Sequence, residues 1–219
     1  LGPTFGWPPR RLLLLPAGGT ESLIRASENA EDDTRAAEHA VRLHAIGSED
    51  VVVGLAASGT TPYTLTLLTS ARTAGALTIG IASNPETPLL AAAEHPVLIA
   101  TGAEPIAGST RLKAGTAQKV TLNLFSTVLM MLLNRVYRGR MVDLEAGSAK
   151  LRRRAIAIVQ GLSGAPAGEA ERLFGEAGGN VKRALLLAQG LTPGEAELLL
   201  QRHSGNLRRA LAELAARHV

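Results

Sequence analysis

The chain has 219 residues, a net charge of +4, 46% hydrophobic and 3% aromatic residues, and no cysteine. That length suits one α/β domain of ordinary size with a small appendage. Disulfides, thiolate metal sites and cysteine nucleophiles are excluded, and so few aromatic rings speak against a stacking platform for single-stranded nucleic acid.

Five histidines (His39, His44, His95, His203, His218) never fall in the HExxH or HxxxH spacing of a helical zinc site. No secretory or transit pattern opens the chain, and a first residue of Leu rather than Met reads as a cut or processed start. The charge is uneven: 11 basic residues against 6 acidic ones follow from Lys150 onward, while the preceding part is slightly acidic. The basic tail reads either as a nucleic-acid patch or as a solvated helix face, and the second is the expectation.

In chain order, Pro3, Gly6, Pro8 and Pro9 make residues 1–10 a loop. Leu12–Leu15 is a candidate buried strand, ended by Pro16-Ala17-Gly18-Gly19. A helix is expected from Thr20 to Ile46 with Gly47 as its stop. On it Glu28 and Glu31 would share a face, with Arg35 at ion-pair spacing from Glu31. Locally this is a charged helix surface; a functional reading needs one carboxylate placed as a base over a substrate.

Val51–Val53 reads as a buried strand, and Gly54, Ala56, Ala57, Ser58, Gly59, Thr60 and Thr61 as a tight loop before Pro62 in the first turn of a helix. A helix start leaves backbone N–H groups free, and the three hydroxyls add donors, which together suit an anion. The helix terminus alone stabilises a phosphate by roughly 0.3–2 kcal/mol. The alternative is an ordinary turn whose Ser and Thr cap the helix.

A helix over Thr64–Ala74, a strand at Leu77–Ile81, a turn at Asn84-Pro85, a short helix at Pro88–Glu94 and a strand at Val97–Ala100 follow. Such alternation argues for a parallel sheet, whose ligands bind beyond the carboxyl ends of the strands. The next helix is expected from about Leu112 to Tyr137, with Val120–Leu133 as a buried core segment rather than a membrane span. Ser109, Arg111 and Lys113 crowd polar and basic groups at its entry, either to complement an anion or as a basic start facing water. In the tail, Gly168–Glu171 recurs as Gly194–Glu197, and Gly179–Leu185 as Gly205–Leu211, each offset by 26 residues. This is a duplicated two-helix unit, expected to bury little apolar surface alone.

Several of these stretches closely resemble one family. Gly108–Lys119 (GSTRLKAGTAQK), Gly54–Tyr63 (GLAASGTTPY), Pro16–Ser22 (PAGGTES), Glu28–Asp33 (ENAEDD) and Met141–Leu151 (MVDLEAGSAKL) are similar to the N-acetylmuramic acid 6-phosphate etherases. These are enzymes with a sugar-isomerase (SIS) domain, related to the glucokinase regulatory protein. The resemblance implies a three-layer, parallel-sheet α/β domain of flavodoxin-like type over residues 1–145. Its first strand would be missing, and a small all-α, ubiquitin-associated-like bundle would follow over residues 146–219. It implies cleavage of the D-lactyl ether of N-acetylmuramic acid 6-phosphate, by elimination and then water addition, without metal or organic cofactor.

By the same resemblance, Ser58, Gly59, Thr60 and Thr61 match the phosphate loop, with Ser109, Arg111 and Lys113 as further substrate contacts. Glu31 matches one of two active-site glutamates. The other sits in an SECPPT-like motif of which only Pro3 and Thr4 have counterparts, so it would precede residue 1, as would a GAGTSGR-type loop. The implied partner is a small sugar phosphate, in a cytoplasmic homodimer that binds neither membrane nor nucleic acid. The alternatives are a non-catalytic sugar-phosphate-binding regulator and an inactive fragment of the etherase.

Overall fold

The computed structural model describes residues 1–25 and 27–217, so His218 lies outside it. The described residues fall into two compact units. One comprises residues 14–124; the other combines residues 1–13 with those from Phe125 onward.

The first unit is built on a parallel sheet of β1 (Val51–Leu55), β2 (Leu77–Ala82) and β3 (His95–Leu98), in that order. Val51 pairs with Leu77 and Leu55 with Ile81, then Ile79 with His95 and Ala82 with Leu98. The crossovers carry α3 (Pro62–Thr73) and α4 (Pro88–Ala92), and both helices pack on the sheet. The parallel α/β expectation holds. Pro62 opens α3 as anticipated, because its missing N–H has no partner to lose in a first turn. Gly80 shows how closely α4 approaches: a Cβ there would stand 2.7 Å from Leu89 O. The core beneath the crossovers is Ala56, Leu68, Leu89 and Ala93. As an edge strand, β1 leaves Val51 58% exposed rather than buried.

Two expectations for residues 12–46 are corrected. Leu12–Leu15 forms no strand: no segment among the described residues pairs with it, and Leu12, Leu13 and Leu14 are exposed. The single helix from Thr20 to Ile46 is instead two 3₁₀ turns, Thr20–Leu23 and Ala30–Asp32, followed by α2 (Thr34–Leu43). Asp33 decides where α2 starts, its side chain accepting from the Ala36 N–H at 2.9 Å as an N-cap. From there Ala37 and Val41 bury α2 against Tyr63, Leu67 and Ala71 of α3.

The long helix α5 (Lys113–Leu132) is also corrected. It stops five residues short of Tyr137, and Asn134 turns at φ 60° into a two-stranded antiparallel hairpin that the sequence did not suggest, Val136–Tyr137 (β4) with Arg140–Met141 (β5). Nor is it a buried core helix. Met130 is fully buried, but Leu124, Phe125, Val128, Met131 and Leu132 are 42–73% exposed. No helix among the described residues is long and apolar enough to cross a membrane.

In the second unit, α1 (Gly2–Phe5) puts a helical turn into the expected opening loop. The tail folds into α6 (Ala149–Ser163), α7 (Ala167–Glu176), α8 (Val181–Leu187), α9 (Pro193–Arg202) and α10 (Leu207–Arg217). The duplication is visible in the packing: Ala170 and Ala196, Leu173 and Leu199, Val181 and Leu207, and Ala184 and Ala210 are all buried. The caps repeat as well, Asn180 accepting from Arg183 N–H and Asn206 from Arg209 N–H. These helices share a substantial core with their neighbours, α6 adding Ala155, Ile158 and Val159, and the segment after β5 adding Val142 and Leu144. Lys182 is buried there with its ammonium 2.6 Å from Asp143 Oδ2, a pairing that offsets the cost of removing the charge from water.

Candidate functional site

The loop between β1 and α3 emerges at the carboxyl end of the sheet. Gly59 takes a left-handed φ of 74° and closes a turn onto Ala56 O at 3.0 Å. Ser58 Oγ accepts from the Thr60 N–H at 3.2 Å, folding the loop on itself. Thr61 occupies the N-cap of α3 without a side-chain cap bond, so the first-turn donors keep no partner of that kind. A helix N-terminus approached by small hydroxyl residues is chemically an anion cradle.

The segment after β2 holds this loop in place. Ser83 N–H donates to Ala57 O at 3.0 Å, Leu89 N–H to Gly59 O at 3.1 Å, and Asn84 Nδ2 to Ser58 O at 3.3 Å. Thr87 lies directly under Gly59, and the Ser83 and Thr87 hydroxyls are buried with no hydrogen-bond partner among the described residues. The sequence alone pointed to no part in the site for Ser83, Asn84 or Thr87, Asn84 reading only as part of a turn. The signal that could have found them is position: in a parallel sheet the turn after β2 surfaces at the same end as the turn after β1.

The carboxylate segment lies elsewhere on α3. Asn29 sits at φ 59°, and the Ala30–Asp32 turn that carries Glu31 packs against α3. Glu31 is exposed and forms no ion pair with Arg35 among the described residues, so the expected helical face shared with Glu28 is not formed. A cavity of about 520 Å³ opens beside this turn, with Ser27, Glu28, Asn29, Asp33 and Tyr63 in its wall. Neither Glu31 nor residues 58–61 line it.

Ser109, Arg111 and Lys113 lie just ahead of α5 or at its first residue, and Arg111 and Lys113 are exposed. No hydrogen bond or ion pair joins them to residues 58–61 among the described residues. The α5 start already holds an anion of its own: Glu104 accepts from Lys113 N–H and Ala114 N–H, both at 2.9 Å. Those two backbone donors, followed by the Lys113 charge, hold the Glu104 carboxyl below the ordinary carboxylate range. Glu104 was missed because it caps from nine residues upstream, outside any capping-box spacing.

Residues 25–128 match the SIS domain. The chain is 52% identical over 187 residues to the N-acetylmuramic acid 6-phosphate etherase of Deinococcus radiodurans, covering 85% of this chain and 61% of that protein. It is 46% identical over 185 residues to the etherase of Rubrobacter xylanophilus, covering 84% and 62%. With that of Symbiobacterium thermophilum the identity is 45% over 186 residues, covering 84% and 61%. Over most of its length the chain is closely similar to the N-acetylmuramic acid 6-phosphate etherases. It spans about three fifths of the length of these etherase relatives. Two of the etherase-like stretches, ENAEDD and GLAASGTTPY, meet on α3, which begins within the second and packs against the first.

Proposed function

We propose that this chain binds a 6-phosphosugar at residues 58–61 and carries out, with Glu31 as a proton-transfer group, the etherase reaction for which its relatives are named. The observation that carries the reading is the loop itself: hydroxyls and a helix start at the carboxyl end of a parallel sheet, tied by three hydrogen bonds to the next crossover. Phosphate binding there supplies the remote binding energy that holds reacting carbons in position. The reading extends to a homodimer in the cytoplasm, supported by the family resemblance.

A second reading, a non-catalytic sugar-phosphate binder, draws support from Glu31 standing exposed and outside the cavity wall. One experiment separates the two. Incubation with N-acetylmuramic acid 6-phosphate releases D-lactate if the first holds; binding without release supports the second. In either case Ser58→Ala combined with Thr60→Val weakens phosphosugar binding several-fold or more, since charge-assisted donors are lost. Unchanged affinity in that variant would move the anion site elsewhere.

A further inference from the structure

Tyr63 stands in the first turn of α3, two residues beyond the phosphate-loop residue Thr61. Its ring is buried at 6% exposure and fixed among Ala37, Val41 and Leu67. Its hydroxyl makes no hydrogen bond to any described residue and is not among the sealed, unpartnered polar atoms, so the ring is buried while the oxygen stays open to a partner. It borders the 520 Å³ cavity, whose other polar walls include Ser27, Glu28, Asn29 and Asp33.

The charged groups of this cavity are both carboxylates, and no Lys or Arg lines it among the described residues. A phosphate is repelled there, whereas hydroxyl and amide N–H donors are welcome. One Asp33 oxygen is committed to the Ala36 N–H at 2.9 Å; Glu28 has no hydrogen bond or ion pair among the described residues. Burial, and then the Asp33 charge, push the Tyr63 phenol above its ordinary value. It therefore stays protonated at neutral pH and offers a donor among acceptors.

We propose that this cavity is a subsite for the uncharged part of a phosphosugar, its ring hydroxyls and N-acyl group, and that Tyr63 is its specificity-determining residue. The proposal rests on the sugar-phosphate reading above. Thr61 and Tyr63 are separated by at most about 7 Å of chain, the scale of a hexose. One helical turn thus offers its loop side to the phosphate and its buried side to the sugar.

The test uses ligand-observed NMR, which needs little protein, with N-acetylglucosamine 6-phosphate and inorganic phosphate as probes. Tyr63→Phe keeps the ring packing and removes only the hydroxyl. It is expected to weaken phosphosugar binding about tenfold and to leave inorganic phosphate binding unchanged. Glu28→Gln, at an exposed position, is the second variant and shows the same selectivity with a loss of about threefold. Equal phosphosugar affinity in wild type and Tyr63→Phe overturns the subsite alone, and so does an equal loss for both probes, which marks a structural role. A wild-type chain that binds phosphate but no phosphosugar overturns the functional reading and the subsite with it.

Discussion

A Cβ placed on Gly59 would lie 2.3 Å from Thr87 Oγ1 and 2.5 Å from Thr87 Cβ. The backbone there also runs at φ 74°, in the left-handed region that favours glycine. Gly59→Ala therefore meets both a clash and a strained backbone, and the loop must leave Thr87. The variant is expected to lose about 1–3 kcal/mol of stability and at least tenfold in phosphosugar affinity. Denaturant midpoints together with a binding titration check this; a Gly59→Ala protein matching wild type in both would show that the loop is not anchored by Thr87.

Glu31→Gln keeps the side chain's size but cannot accept a proton. If Glu31 moves a proton in the reaction, D-lactate release drops by roughly 10²–10⁴-fold, while phosphosugar affinity stays within about threefold and the fold survives, because the position is exposed. Normal turnover in the variant would leave Glu31 as a surface carboxylate of a 3₁₀ turn.

Glu104 ties acidity to the start of α5. Its folded-state pKa is lowered from 4.5 by the Ala114 and Lys113 N–H groups, so its contribution is complete above the unfolded value and is lost as pH falls through the lowered one. Urea midpoints of wild type and Glu104→Gln should thus differ most near pH 7 and converge between about pH 4.5 and more acidic values. A gap that persists unchanged at low pH would mean that the charge is not what matters.

The exposed stripe of α5 has a solution signature. Burying a Leu or Phe is worth roughly 1.5–3 kcal/mol, and here Leu124 and Leu132 stand 63% and 73% exposed. Adjacent apolar exposure of this kind binds hydrophobic dyes and favours association. The chain is expected to enhance ANS fluorescence and to self-associate with rising concentration, and Leu124→Lys with Leu132→Lys to reduce both. Dye binding that ignores the double substitution would place the sticky surface elsewhere.

The parts of the molecule written in short-range chemistry were legible in the sequence alone. Val51–Val53 followed by small residues and Pro62 reads as strand, loop and helix, since turn and first-turn preferences act within a few residues. The tail duplication is likewise visible, and its Asn180 and Asn206 caps act over three residues. What only the tertiary structure decided depends on partners distant in sequence. Leu12–Leu15 has strand composition, but a strand exists only if another chain segment offers its N–H and C=O groups, and none among the described residues does. The apolar run of α5 argues for burial, yet burial is a property of neighbours, and the helix leaves much of that run in water. The site divides in the same way. Ser58–Thr61 could be read from one loop, whereas Thr87 under Gly59, Glu104 on the α5 start, and Tyr63 with Asp33 in one cavity wall are relations between segments, the first and third formed when hydrophobic packing of α2 and α4 around α3 brings their segments together.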